Sequence, residues 1–270
     1  MFRHPVASKT EVQISQRGTE DSRQIPNLDQ GARSPAMGPQ PEPLAPSELG
    51  TKEYWDALYA RELSNHASDP ADTGTSWFED SDAERKTTRF LGALAGAPPK
   101  ATASVLDLGC GNGSMLLALR REGWTGRALG VDYSAKSVAL ARQVASSSAA
   151  AAAASAAVEF AEWDILGGAY AGVLAGEQAG GWDVVLDKGT FDAVSLAGRR
   201  LCGLYPGRVA PLVREGGILL VTSCNWTEDE LADWFAGAGC FAVAGRVGYR
   251  SFSFGGVKGQ TISTLCFRKL

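Results

Sequence analysis

The sequence predicts an α/β fold: a doubly wound, mostly parallel sheet of seven strands with a C-terminal β-hairpin. Three observations predict it. From Ser104 to Ala236 short apolar runs alternate with helical patterns, and such alternation builds a parallel sheet with helices on both faces. Beyond Ala236, residues 240–247 and 261–267 are two strand-like runs with no helical stretch between them, so the sheet ends in a hairpin. With 270 residues, 44% hydrophobic and 21% charged, the chain has enough apolar material for one large domain or two small ones.

The elements follow in chain order. The first fifty residues hold seven of the twelve prolines, one aromatic (Phe2), and five basic against six acidic side chains. Such a segment buries too little apolar surface to offset the entropy of ordering, and residues 1–48 are expected to form a disordered tail. A transit peptide is the competing reading, opposed by Glu11, Glu20, Asp21 and Asp29, since such peptides are poor in acids. From Ser47 onward, Trp55 and Tyr59, with Tyr54 and Leu58, have the spacing of a short amphipathic helix. Residues 69–80 read as a loop carrying Trp77 and Phe78, and residues 83–94 as a second helix with Phe90, Leu91 and Leu94 on one face. Strands are predicted at 104–108, 128–131, 158–161, 183–186 and 218–222, and helices at 115–121, 136–145, 199–213 and 228–236. Residues 145–157 are almost pure Ala and Ser, a low-complexity stretch read as an elongated helix or surface insertion.

Charge and cysteine usage exclude several classes. Formal charge is -4, and the 26 basic residues form no run of five, so no nucleic-acid partner is expected. The apolar stretches at 149–158 and 217–222 fall short of the roughly 18 to 20 residues that cross a bilayer, so no membrane partner is expected. Five cysteines without a CxxC pair, beside two histidines, exclude a disulfide scaffold and a Cys/His zinc site. A reducing compartment, the cytoplasm, and no metal are the corresponding expectations.

The chemistry is carried by strand ends. Val105-Leu106-Asp107-Leu108-Gly109-Cys110-Gly111-Asn112-Gly113-Ser114 runs from a strand through an acid into a glycine-rich turn that opens a helix. The third glycine of a dinucleotide fingerprint is replaced by Ser114, and a carboxylate at Asp107 suits a cationic ligand better than a pyrophosphate. The next strand ends in Asp132-Tyr133-Ser134, where Asp132 can accept both hydroxyls of a ribose and Ser134 caps the following helix. Asp164, followed by Ile165, ends the third strand, placed to meet an adenine amino group and ring. Three successive strands thus deliver an acid to one sheet edge.

This constellation closely resembles the class I, seven-β-strand methyltransferases, with their Rossmann-like fold. The resemblance implies S-adenosyl-L-methionine as cofactor, with Gly109, Gly111, Asn112 and Gly113 against its methionyl part, Asp107 ordering the loop, Asp132, Tyr133 and Ser134 at the ribose, and Asp164 and Ile165 at the adenine. Asp187, ending the fourth strand, would lie beside the methyl group. Tyr54-Trp55-Asp56-x-x-Tyr59, Asp72-Thr73-Gly74-x-x-Trp77-Phe78, Asp187-Lys188-Gly189-Thr190-Phe191-Asp192-Ala193, Thr222-Ser223-Cys224-Asn225-Trp226-Thr227 and Phe252-Ser253-Phe254-Gly255-Gly256 together resemble the elongation factor 1-alpha lysine methyltransferase family, in the branch of its second member. The resemblance spans about residues 48–270 and implies one methyltransferase domain over 49–270, with residues 49–100 as a helical segment over the active site.

It implies a monomer that methylates a lysine of elongation factor 1-alpha. Asp187 and Asn225 are then the catalytic candidates, and Trp77, Phe78, Phe191, Trp226, Phe252 and Phe254 the candidates for the substrate channel, with core packing as the competing reading for the aromatics. Lys188 is expected to be solvated or paired with Asp192, and Cys224 lacks a histidine partner within its motif. A methyltransferase of small molecules, or of another protein, would use the same cofactor residues and is the alternative. A non-catalytic relative and an NAD-linked oxidoreductase are disfavoured by the intact glycines and Asp132, and by the absent third fingerprint glycine and the terminal hairpin.

Overall fold

The computed structural model describes residues 41–147, 157–237, 239–254 and 257–270, with backbone alone over 251–254 and 257–260. Most of the expected tail and of the Ala/Ser stretch therefore lies outside the described residues. Within 41–48, which the sequence assigns to the tail, Leu44 packs against the core and the Ser47 N–H donates to the Leu196 carbonyl at 3.1 Å.

Nine strands are described: β1 Val105–Leu108, β2 Ala128–Asp132, β3 Val158–Glu162, β4 Trp182–Lys188, β5 Val213–Ser223, β6 Phe241–Arg246, β7 Ser251–Phe254, β8 Val257–Gln260 and β9 Ser263–Lys269. The helices are α1 Lys52–Ser68, α2 Ala83–Ala93, α3 Ser114–Arg121, α4 Ala135–Ser147, α5 Thr190–Leu196, α6 Arg199–Val209 and α7 Glu228–Ala236. Seven strands form one sheet in the order β3-β2-β1-β4-β5-β9-β6. The first five run parallel, and β9 lies antiparallel between β5 and β6. The two runs expected to form the terminal hairpin do pair as β6 and β9. The tight hairpin, however, is a separate β7–β8 pair in the connection between them. Helix α5 is also absent from the expected elements, because seven residues give too little periodicity to register.

Alternate residues of each strand face opposite sides, and each side has its own core. Leu106, Leu108, Leu129, Val131, Val185, Leu219 and Val221 pack with Phe191, Tyr205, Leu231, Trp234 and Phe235 of α5, α6 and α7. Val105, Ala128, Val184, Leu186, Ile218 and Leu220 pack with Leu91, Met115, Leu116, Leu119 and Val138 of α2, α3 and α4. Outside these layers, α1 lays Tyr59 against Leu140 and Val144 of α4. Thr51 caps α1, accepting from the Tyr54 N–H at 3.3 Å, and this fixes where the helix starts above the carboxyl ends of the strands.

Candidate active site at the carboxyl edge of the sheet

The glycine turn is shaped by what leaves it no room for side chains. Gly109, Gly111 and Gly113 have φ of +62°, +55° and +77°, the left-handed region that favours glycine. A Cβ on Gly109 would lie 2.1 Å from Thr190 Oγ1, and one on Gly111 2.9 Å from the Tyr59 hydroxyl. The turn is thus a backbone-lined cradle between the start of α5 and the middle of α1. Asn112 ties it to the 69–80 loop: its Nδ2 donates to the Thr73 carbonyl at 3.0 Å, and its Oδ1 accepts from the Ser114 N–H at 3.1 Å.

Asp107 and Asp132 point to the same side of the sheet, as the strand pleat and the parallel β1–β2 register require. Asp132 is buried and accepts from the Gly111 N–H at 3.2 Å, the Ser134 N–H at 2.9 Å and the Ser137 hydroxyl at 2.8 Å. Its carboxylate therefore braces the turn. Burial pushes its pKa up, and these donors pull it back. Asp107 is only 2% exposed, and burial pushes it up to about 8; Lys188 pulls it down, while Glu84, Asp187 and Asp132 push it further. Asp164 is exposed and accepts from the Leu166 N–H at 2.8 Å, beside the half-buried Ile165. Tyr133 is half-buried with its hydroxyl 3.4 Å from the Thr51 carbonyl, and the buried Ser134 donates to Asp56 at 2.6 Å. The acids of β1, β2 and β3 thus come to one edge of the sheet, which α1 meets at Tyr133 and Ser134.

Three expectations are corrected on the acceptor side. Asp187 pairs with Leu108 in register, so it points to the sheet face opposite Asp107. It is 1% exposed, and its oxygens accept from the Thr190 N–H at 2.9 Å, the Phe191 N–H at 3.1 Å and the Tyr205 hydroxyl at 2.7 Å. It therefore holds the first turn of α5 instead of standing open to an amine, and burial pushes its pKa up to about 7. Phe191 and Trp226, expected to line a channel, are core residues: 0% and 3% exposed, stacked at 6.0 Å, with the Trp226 indole N–H donating to Ser195. Lys188 pairs with Glu84 at 3.4 Å, while Asp192 is taken by the Ser223 hydroxyl and the Cys224 N–H.

The remaining candidates differ in how far their surroundings are described. Trp77 and Phe78 are half-buried; Trp77 meets Trp55 edge-on at 5.5 Å, and its buried indole N–H has no hydrogen-bond partner. Asn225 is half-buried just beyond β5, its backbone N–H donating to Ser223. Phe252 and Phe254 lie in β7, and their side chains fall outside the described residues. Sequence reasoning passed over Tyr59, Glu84, Thr190 and Tyr205 as site residues. Tyr59 and Thr190 stood within quoted motifs without a role, while Glu84 and Tyr205 carried no local signal, since their partners lie far away in sequence.

The chain matches the family model described as a methyltransferase domain over residues 99–249. It is 42% identical over 233 residues to the protein-lysine N-methyltransferase EFM4 of Saccharomyces cerevisiae, covering 84% of this chain and 96% of that protein. It is 31% identical over 242 residues to the human EEF1A lysine methyltransferase 2, covering 88% and 94%. Among solved structures, the [4+2]-cyclase SpnF superposes with a TM-score of 0.57 at 16% identity, over 86% of this chain and 99% of that one, a likeness of fold. Matched along nearly the whole length of these relatives, the chain belongs to the S-adenosylmethionine-dependent protein-lysine N-methyltransferases of the class I methyltransferase fold.

Proposed function

We propose that the chain methylates a lysine of translation elongation factor 1-alpha, with the cofactor held at the carboxyl edge of β1, β2 and β3. The observation that carries the substrate is the 31 to 42% identity, over more than nine-tenths of their length, to relatives whose names include protein-lysine N-methyltransferase and EEF1A lysine methyltransferase 2. The cofactor assignment draws on the cradle itself. Of the three positive-φ glycines, Gly109 is exposed and Gly111 half-buried, Asp107 offers a buried carboxyl to a cationic ligand, and the Trp77 indole N–H is buried without a hydrogen-bond partner. These features fit S-adenosylmethionine.

When bound, the cofactor supplies a methyl group on a sulfonium, open to in-line displacement by an amine. In this reading Gly109, Gly111, Asn112 and Gly113 receive the methionyl part, with Asp107 beneath it. Asp132, beyond bracing the turn, takes the ribose hydroxyls beside Tyr133 and Ser134, and Asp164 and Ile165 meet the adenine. Trp77 and Phe78 wall the approach of the lysine, joined by Phe252 and Phe254 from β7, and Asn225 orients the amine. A free lysine has a pKa of about 10.4, so the amine must give its proton to water as it enters; apolar walls then favour the neutral amine. Asp187 acts one step back, through the α5 turn that presses Thr190 against Gly109. The protein works as a monomer in the cytoplasm, on protein and neither nucleic acid nor membrane; among the described residues no helix is long and apolar enough to cross a membrane.

The test is to incubate the full chain with S-adenosylmethionine carrying a labelled methyl group in a cell extract, then identify the labelled protein. Elongation factor 1-alpha is the expected product, and label on other proteins but none on this factor overturns the substrate assignment.

A further inference from the structure

We propose that Lys188 is a positioning residue for methyl transfer, clamping residues 76–84 across the carboxyl edge so that Trp77 and Phe78 face the acceptor. The inference rests on the reading of this edge as the cofactor and acceptor site. Lys188 ends β4 on the same sheet face as Leu186, hence on the face of Asp107 and opposite Asp187. Its ammonium, on a side chain 15% exposed, lies 3.3 Å from the Trp77 carbonyl and 3.4 Å from Glu84 Oε1. Glu84 in turn accepts from the Ser76 hydroxyl at 3.2 Å and from the Ser114 hydroxyl at the start of α3. One half-buried ion pair therefore joins β4, the loop, α2 and the helix that follows the glycine turn.

The segment it holds is bent at both ends of a short 3-10 turn. Phe78 and Asp82 have φ of +65° and +56°, a conformation costly for residues other than glycine, which surrounding contacts must maintain. Phe78 lies against Gly189, next to Lys188 itself, where a Cβ would come within 3.3 Å of the Phe78 ring. Without the clamp, the loop would lose the bond at Trp77 and the pairing at Glu84, and the aromatic wall would drift from its aim.

The experiment compares Lys188→Met, Lys188→Arg, Glu84→Gln and the Lys188→Met/Glu84→Gln pair in the full chain. Melting temperature, affinity for S-adenosylhomocysteine, kcat/KM on elongation factor 1-alpha and amide hydrogen exchange over 73–84 are read on each. A misplacement of about 1 Å lowers transfer by on the order of ten- to a hundredfold. Lys188→Met and Glu84→Gln are each expected to show that loss with cofactor affinity changed less than about threefold, and the pair to be no worse than the singles. Lys188→Arg restores most of the rate. Wild-type kcat/KM in Lys188→Met, a loss that Arg fails to rescue, or additive losses in the pair would overturn the clamp. Should Lys188→Met not fold, Glu84→Gln decides by the same criteria. If the wild-type enzyme leaves the factor unmethylated, the substrate reading fails separately. Hydrogen exchange then tests the clamp: exchange over 73–84 is faster in Glu84→Gln if it is correct and unchanged if it is not.

Discussion

Gly109 and Gly111 concentrate the demands of the cofactor turn into two missing side chains. Each combines a left-handed φ with a wall where a Cβ would go, Thr190 for the first and Tyr59 for the second. Replacement by Ala therefore brings strain and displacement together. Gly109→Ala is expected to cost about 1–3 kcal/mol of stability and to abolish measurable cofactor binding, because its clash involves a threonine fixed by a 2.6 Å bond to the Leu108 carbonyl. Calorimetric titration with S-adenosylhomocysteine, beside a melting curve, checks both.

Asp107 offers a test by pH at the same scale. Its ordinary value is 3.8 and burial raises it to about 8, so between these values the folded protein holds a proton that the unfolded chain has released. The stability tied to that proton is full in acid and lost as pH rises towards 8. Asp107→Asn removes the loss. Its melting temperature should exceed that of the wild type at pH 8, by an amount corresponding to at least about 1 kcal/mol, and the gap should shrink towards pH 5. A gap that widened on acidification would contradict the burial argument.

At the scale of elements, α5 separates structural from acceptor residues. Trp226→Ala removes a side chain packed among Phe191, Trp234 and Ser195 and should cost about 3–5 kcal/mol, read as a large fall in melting temperature. Trp77→Ala, at a half-buried position in the loop, should leave melting far less affected while lowering methyl transfer. The alternation of strands and helices was legible because each run carries its own period, and the acids of β1, β2 and β3 were legible because each lies within two residues of its strand's carboxyl end. Asp187 was misread for a reason that lies in the pleat. The chain shows where a strand ends, yet which face a residue near that end takes depends on register with β1, and the Tyr205 that claims the Asp187 carboxylate arrives from another helix. The roles of Phe191 and Trp226 were hidden in the same way, since aromatic residues after a strand end serve a wall or a core equally well until α6 and α7 are placed.

For the whole molecule, residues 44–50 are anchored by contact. Residues 44–50 touch the domain through Leu44, the Ser47 N–H and Gly50, where a Cβ would meet the Ala197 and Leu196 backbone at 2.3–2.5 Å. Deleting residues 1–40 is expected to leave melting temperature and cofactor affinity unchanged, and extending the deletion through Thr51 to lower both, because the cap of α1 is then lost as well.

The central claim, that the edge formed by β1, β2 and β3 drives methylation of a lysine on elongation factor 1-alpha, meets its most direct test in mass spectrometry of the purified factor. The factor is incubated with S-adenosylmethionine and either wild-type enzyme or Asp132→Ala, which leaves the Gly111 and Ser134 N–H groups and the Ser137 hydroxyl without their acceptor. The account predicts a lysine peptide heavier by whole methyl groups with the wild type and an unmodified peptide with the variant. An unmodified factor with the wild-type enzyme, or equal modification by both, would contradict it.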